Sequence, residues 1–225
     1  LTFIPTFAGG MFEALMANLV VPETSWGPQS FGLADRRAAQ VQVKYTTQVL
    51  QYPVWGMSPS STADDTGNYD VYGVQGLRFP YFGAGADARH PNLGLSQSEC
   101  RGCTTEDVVT PHASFIALDV LPQQAYGNIQ ALRRLYPDLY RPDGGFYDAV
   151  NPTTKAVGHR DLVLDQSMIM AALDNALNHR KLQRHFAADP ASAAAHTYLS
   201  LEKLSIAGSG NSENGVGDST GNNNG

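Results

Sequence analysis

Seven stretches of this chain repeat their apolar residues at the spacing of an amphipathic helix, and no stretch of comparable length alternates as a half-buried strand does. Two boundaries are marked by a capping residue followed by proline, at Thr110-Pro111 and at Asp189-Pro190. Asp35 is a further candidate N-cap. We predict helices at residues 11–19, 35–50, 111–121, 122–135, 165–176, 182–186 and 190–204. Helices joined in pairs by loops predict an all-α fold.

Two other regions lack a helical pattern. Residues 56–105 are interrupted throughout by glycine and proline, and a loop of this length is usually functional or disordered. Its aromatic content favours an ordered loop. Residues 207–225 contain 6 Gly, 5 Asn and 3 Ser, which cannot build a core. We therefore expect a helical domain at residues 1–206 and a tail at residues 207–225 that is a linker, a processed terminus or a segment ordered by a partner.

Composition excludes some classes of function. The chain has 15 Lys and Arg against 21 Asp and Glu, for a net charge of −6, and only 16% of its residues are charged. A nucleic-acid partner is disfavoured because no basic cluster neutralises phosphates. No apolar run approaches the roughly 20 residues of a membrane span. A polar surface rich in tyrosine is suited to carbohydrate.

The only cysteines, Cys100 and Cys103, leave three alternatives open. A local disulfide is favoured over free thiols and over a metal or redox site, because two ligands cannot complete a zinc site. A disulfide predicts a secreted or periplasmic protein, although residues 1–5 show no basic segment of a signal peptide. We expect no metal and no other cofactor.

Seven short motifs follow one another in a recognisable order. They are GMFEALM at residues 10–16, PE at 22–23, WGMSP at 55–59, YDVYGV at 69–74, VTPHASF at 109–115, GFYDAV at 145–150 and LDQSMIM at 164–170. Together they resemble the bacterial glycoamylase-like family, which includes endo-β-1,2-glucanases and is related to a domain of cyclic β-1,2-glucan synthases. The resemblance covers roughly residues 8–188.

The resemblance implies an (α/α)6 barrel of helical hairpins with a sugar-binding cleft at one end. Six hairpins need roughly 400 residues, and the matched segment corresponds to the C-terminal half of such a barrel. We expect a fragment or a processed half. Its partner would be the N-terminal half of the barrel or another chain.

Glycoside hydrolysis needs a protonated carboxyl group and a second carboxylate that activates water or attacks the sugar. Among the six glutamates only Glu13 lies among apolar residues on a predicted helix, a setting that raises a pKa. The alternative is a solvated residue stabilised by the helix dipole. In the family, Met-Phe-Glu lines the cleft, which favours Glu13 as the general acid.

Asp148 and Asp165 are the candidates for the second carboxylate. Asp148 follows a Gly-Gly turn and two aromatic residues, so it suits a cleft rim, or it caps the turn at Asn151-Pro152. Asp165 is equally explained as an N-cap. In related enzymes an essential carboxylate also comes from the N-terminal half of the barrel.

Aromatic residues are candidates for contacts with sugar. Trp55 beside Gly56 suits a stacking platform, because glycine permits close approach, but Trp55 is equally compatible with a core position. The weaker candidates for the same role are Tyr69, Tyr72 and Tyr147.

Three polar residues complete the predicted site. His112 lies in a first helical turn, where the dipole favours a neutral imidazole that either binds a sugar hydroxyl or is structural. Arg160 and Gln166 are candidates for further hydrogen bonds to sugar.

One departure from the family's sequence pattern argues against a synthase-like or phosphorylase-like activity. Synthase relatives carry a glutamate in a Ser-Glu-Ser pattern after the Trp-Gly motif, where this chain has Ser58-Pro59-Ser60-Ser61. The sequence therefore predicts an inverting glycoside hydrolase that acts on a β-glucan. The alternative is a non-catalytic carbohydrate-binding or extracellular assembly protein on the same scaffold.

Overall fold

The computed structural model describes residues 3–4, 6, 9–74 and 108–204. Within them lie eight α-helices: α1 Met11–Leu15, α2 Glu23–Trp26, α3 Phe31–Lys44, α4 Pro111–Ile116, α5 Pro122–Leu135, α6 Val163–Leu177, α7 Lys181–Ala188 and α8 Ala193–Leu201. The chain is mostly helical, as the periodicity predicts. Residues 75–105 of the predicted loop, with Cys100 and Cys103, lie outside the described residues, as does the tail at residues 207–225.

Helix α4 lies at the centre of the fold. All six of its residues are buried, among them the polar residues His112 and Ser114, so every face of the helix is covered. It packs against α1, α5 and α6, and α6 packs in turn against α7. The main core forms between these helices, with Met11, Leu15, Ile116, Leu132 and Met168 among its buried members. This packing brings the start of α1, α4 and α6 to neighbouring positions.

Three pairs of very short antiparallel strands lie in the loops. They are β1 Ser60–Ser61 with β2 Tyr69–Asp70, β3 Tyr140–Arg141 with β4 Gly145–Phe146, and β5 Ala149–Val150 with β6 Val157–Gly158. An isolated bridge joins Val109 to Val150 and so connects the last pair to the residues before α4. Strands of two residues are too short to produce an alternating pattern, which is why they escape prediction.

The helix boundaries agree with the sequence at some capping residues and disagree at others. Asp189 caps as predicted, accepting a hydrogen bond from the backbone N–H of Ala191 at 2.8 Å. The prediction that Asp35 is an N-cap is wrong, because α3 already begins at Phe31 and Asp35 is buried inside it. A π-helical turn at Tyr45–Val49 extends α3, and the short helix α2 is not predicted. Among the described helices, none combines the length and the apolar character that crossing a membrane requires.

Candidate active site

Glu13 lies in the first turn of α1, with its side chain folded back over Gly10. A Cβ atom at Gly10 would collide with Oε2 of Glu13, so this position of the carboxyl group depends on glycine. Burial raises the pKa of Glu13 to about 7. Oε2 is buried and has no hydrogen-bond partner among the described residues. This carboxyl group is therefore protonated in a large part of the molecules near neutral pH.

The amide of Gln42 fixes the position of α1. This buried α3 side chain donates from Nε2 to the carbonyls of Gly9 at 2.6 Å and Met57 at 3.1 Å, and its Oε1 accepts from the Met57 N–H at 3.0 Å. The backbone N–H of Phe12 donates to Oγ of Ser58 at 2.9 Å. The residues around Glu13 and the segment 57–58 are thus joined through one side chain.

Asp148 and Asp165 form a buried carboxyl pair, each about 2% exposed. Burial and the hydrogen bond and negative charge of Asp165 raise the pKa of Asp148 to about 8. Asp165 accepts that hydrogen bond, and its own pKa is raised by burial. The backbone N–H of Ser61 donates to Oδ2 of Asp148 at 2.6 Å. Near neutral pH Asp148 therefore carries a proton.

This geometry contradicts the capping alternatives for the two aspartates. Helix α6 begins at Val163 with Leu162 as its N-cap, so Asp165 lies within the first turn and the N-cap interpretation is wrong. Asp148 does not cap the turn at Asn151-Pro152 either. Its Oδ2 binds Ser61, and the side chain of Asn151 accepts the turn's own N–H groups from Thr153 and Thr154.

His112 lies beside the pair and is 1% exposed. Burial lowers its pKa to about 4, so the imidazole is neutral. Nδ1 is 2.8 Å from the hydroxyl of Thr110 and 3.3 Å from Oδ2 of Asp165. Its burial contradicts a direct bond to a sugar hydroxyl and agrees with the structural interpretation.

His112, Asp148 and Asp165 are the described residues best placed to hold a metal ion. One ligand atom from each lies within 4.8 Å of the others. Nδ1 of His112 is 2.8 Å from the Thr110 hydroxyl, whereas its Nε2 has no hydrogen-bond partner among the described residues. Because metal ligands must be deprotonated, a divalent cation bound here would displace the proton of Asp148.

Tyr69 connects Glu13 to the aspartate pair. It is the cross-strand partner of Ser61, whose N–H binds Asp148, and it is 45% exposed. Burial and the charges of Asp165, Asp148 and Glu13 raise the pKa of its phenol to about 12. Tyr69 thus lies within electrostatic range of all three predicted catalytic carboxyl groups. Tyr69 is exposed, Glu13 is partly exposed, and the two aspartates are buried beneath the surface.

Two of the predicted sugar platforms are wrong. Trp55 is 4% exposed in the main core, and Tyr72 is buried in a second core cluster with Met57 and Ala149. A buried ring offers no free face to a pyranose. Gly56, with φ of 113°, serves packing, since a Cβ atom there would lie 2.9 Å from Ala113 of α4.

Three other predicted residues lie around the carboxyl groups and make contacts of their own. The ring of Tyr147 lies edge to face with His159 and beneath the guanidinium of Arg141. Arg160 donates from Nη2 to the carbonyl of Asp65 at 3.0 Å, and Nε2 of Gln166 donates to the carbonyl of Phe146 at 2.9 Å. These contacts support the loops on either side of Asp148.

The sequence pattern did not predict the two buried amide side chains that bind the backbone next to the site. Asn128 of α5 accepts from the Trp55 N–H at 3.1 Å and donates to the Trp55 carbonyl and the Ser114 hydroxyl, each at 2.7 Å. The amide of Gln42 on α3 binds the backbone of Gly9 and Met57 in a similar way. A signal existed for Asn128, because it falls in the apolar stripe between Ala125 and Leu132, where an amide needs buried partners.

Comparison with solved structures shows the same fold in several proteins. The endo-β-1,2-glucanase from Chitinophaga pinensis, in complex with sophorotriose and glucose, is 14% identical, with a TM-score of 0.62 over 88% of this chain and 42% of that one. The β-1,2-glucanase from Parabacteroides distasonis is 14% identical, with a TM-score of 0.60 over 84% of this chain and 24% of that one. A protein from Bacteroides caccae, described as a "putative glucoamylase", is 20% identical, with a TM-score of 0.61 over 88% and 43%.

These identities establish a common fold only. The chain spans less than half of the length of each of these structures. No curated protein matches the sequence. Among protein families, residues 2–190 match the Glycoamylase family, described as "Putative glucoamylase". Because this match extends over most of the chain, the protein belongs to the Glycoamylase family.

Proposed function

We propose that this chain contributes the acid and a carboxylate pair to a glycoside hydrolase that acts on a β-glucan, with β-1,2-linked glucan as the first candidate. One observation carries the proposal. Glu13, whose pKa is raised to about 7, lies within electrostatic range of Tyr69, as does a buried carboxyl pair in which Asp148, with a pKa of about 8, carries a proton. A pair of carboxyl groups in different protonation states is the requirement of glycoside hydrolysis. Family membership and the glucanase fold support the same reaction class.

In this proposal Glu13 donates its proton to the glycosidic oxygen as the bond to the leaving sugar breaks. Its partly exposed side chain allows that contact, and its burial keeps the proton available near pH 7. Asp165, the ionised member of the pair, accepts the proton of a water molecule that attacks the anomeric carbon, which gives inversion. Asp148 stabilises that negative charge through its proton. Tyr69 keeps its phenolic proton and offers an exposed ring to sugar.

A non-catalytic carbohydrate-binding protein is the second candidate function. The observation in its favour is the burial of both aspartates, which restricts their access to water. The two functions differ in one measurable property, since a binding protein retains glucan without releasing sugar.

The test is Glu13→Gln in the full-length protein, assayed for sugar release from β-1,2-, β-1,3- and α-glucans. We expect activity on a β-glucan and a loss of at least about 100-fold in the variant, because general acid catalysis contributes that much. Glu202→Gln, which changes an exposed carboxyl group, is the matched control. Wild-type inactivity on all three glucans would overturn the enzyme proposal, and full activity of Glu13→Gln would remove Glu13 from the mechanism.

We further propose that the described helices form the C-terminal half of a helical toroid, completed by helices from the same protein or from another chain. Helix α6 supports this, because Val163, Met170 and Leu177 are 84%, 69% and 73% exposed at seven-residue intervals on one face. A helix that is apolar on both faces is normally covered on both. A Met170→Glu variant should stay folded in this chain alone and destabilise the complete protein. Equal stability effects in both would contradict the proposal.

A secreted or periplasmic location belongs to the same proposal. It suits a polymeric substrate and the expected disulfide between Cys100 and Cys103. Thiol labelling of the native protein before and after reduction tests it, because labelling without reduction would contradict the disulfide.

A further inference from the structure

A cavity of about 380 Å³ lies at the opposite end of α4 and α6 from the carboxyl groups. Asp165 and Ala176 are both on α6, and the stretch of helix from one to the other spans about 16 Å. The volume of the cavity is within the roughly 300–1,000 Å³ that is typical of small-molecule sites. The cavity is therefore separate from the candidate active site.

Gln183 lines the cavity and carries a buried, unpaired hydrogen-bond acceptor. The side chain is 2% exposed, and its Nε2 donates to the carbonyl of Asn18 at 2.5 Å. That bond fixes the orientation of the amide, because the reverse orientation would oppose two oxygens. Oε1 has no donor among the described residues. A buried acceptor without a donor is costly, so a molecule that offers an N–H or O–H group is favoured there.

Asp119, Arg180 and Asn175 of the wall already have partners. Oδ2 of Asp119 accepts from Asn18 at 3.0 Å and from Thr24 at 2.8 Å, and its Oδ1 pairs with Nη2 of Arg180 at 2.7 Å. Nδ2 of Asn175 donates to the carbonyl of Leu19 at 2.8 Å. Because the Asp119–Arg180 pair cancels its own charge, the wall favours a neutral molecule.

The remaining lining is apolar and one rim is strained. Leu19, Phe115 and Ala172 line the cavity with other apolar side chains, a surface suited to the C–H faces of a sugar ring. On the rim, His179 and Arg180 have φ of 57° and 59°, a left-handed conformation that non-glycine residues rarely adopt. Such residues cluster at ligand sites, where the surrounding contacts maintain them.

We propose that this cavity binds a neutral, hydroxyl-rich molecule with the size of one or two sugar rings. A ligand hydroxyl donates to Oε1 of Gln183, and the apolar wall covers a ring face. The proposal is independent of catalysis by Glu13.

The experiment follows side-chain amide NMR signals of the ¹⁵N-labelled protein during titration with glucose, with the β-1,2-linked glucose disaccharide and with inorganic phosphate. The Gln183 signal reports on the cavity and the Gln166 signal on the carboxyl cluster, so the two sites are distinguished in one spectrum. We expect saturable shifts of Gln183 with a sugar and none with phosphate. Phosphate shifts alone, or sugar shifts confined to Gln166, would overturn the proposal.

Ala176→Phe fills the cavity from an exposed position on α6, so the fold is preserved. Leu177→Phe is the matched control, because Leu177 is exposed next to it and does not line the cavity. We expect binding at Gln183 to weaken at least tenfold in Ala176→Phe and to persist in Leu177→Phe and Glu13→Gln. Unchanged binding in Ala176→Phe would refute the assignment. Loss of sugar release in Glu13→Gln with sugar binding at Gln183 intact separates this site from catalysis.

Discussion

Replacing Asp148 by asparagine tests the protonation of Asp148 directly. Asparagine has the shape of a protonated aspartic acid, so its Nδ2 can donate to Asp165 and its Oδ1 can accept from the Ser61 N–H. The pKa of Asp148 is raised from 3.8 to about 8, so the folded protein binds a proton that the unfolded chain has released. The stability from this group is complete below pH 3.8 and is lost as pH rises toward 8.

The magnitude follows from proton linkage. Between 3.8 and pH 7 lie about three pH units, and each is equivalent to about 1.36 kcal/mol, so holding this proton costs the wild type at most about 4 kcal/mol at pH 7. The asparagine variant avoids that cost. We therefore expect Asp148→Asn to match the wild type near pH 4 and to exceed its free energy of unfolding at pH 7.

Urea denaturation followed by circular dichroism, at intervals from pH 4 to pH 8, measures both curves. The free energy of unfolding of the variant should fall less steeply with pH, and the difference in slope should correspond to at most one bound proton, about 1.36 kcal/mol per pH unit. Asp138→Asn, at an exposed carboxyl group, is the control and should keep the wild-type slope. A constant loss of stability in Asp148→Asn at every pH would refute the protonation of Asp148.

Two further predictions concern the acid and its support. Because Glu13 must be protonated, kcat/KM should fall tenfold per pH unit above about pH 7. Gly10→Ala displaces Oε2 and should move that fall to lower pH in a pH–rate profile. An unchanged profile would count against Glu13 as the acid. Asn128→Ala should lower the free energy of unfolding by about 3 kcal/mol, because it leaves the buried N–H and C=O of Trp55 unpaired. Gln130→Ala, at an exposed position, should change it by less than about 0.5 kcal/mol. Equal effects of the two variants in denaturant titrations would contradict this.

Part of this site was visible in the sequence. Glu13 stood out because a carboxylate on an apolar helix is unusual, and Asp148 and Asp165 lay in motifs of the family. Their pairing was not predictable, since it depends on α6 beginning two residues before Asp165 and on Ser61, 87 residues away from Asp148, presenting its N–H. Periodicity describes one segment at a time and gives no information on such contacts.

For the aromatic residues, the sequence did not distinguish a buried ring from an exposed one. Trp55 and Tyr69 both lie in segments rich in glycine and proline, and local pattern gives the two the same interpretation. Their burial differs because α5 reaches Trp55 through Asn128, whereas Tyr69 lies on a short outer strand. The helical class itself was predictable, because it depends on local spacing that each segment carries alone.

The clamp made by Gln42 has a consequence for local unfolding. One amide binds the backbone at both Gly9 and Met57, and the Met11 N–H donates to the Met57 carbonyl at 3.1 Å, so opening of either segment breaks bonds that hold the other. The two segments then form one cooperative unit with a single opening free energy, although they lie far apart in the chain. The acid and the Trp55 segment would exchange their amide hydrogens at the same opening rate, and an engineered loop at residues 55–59 would alter Glu13 as well.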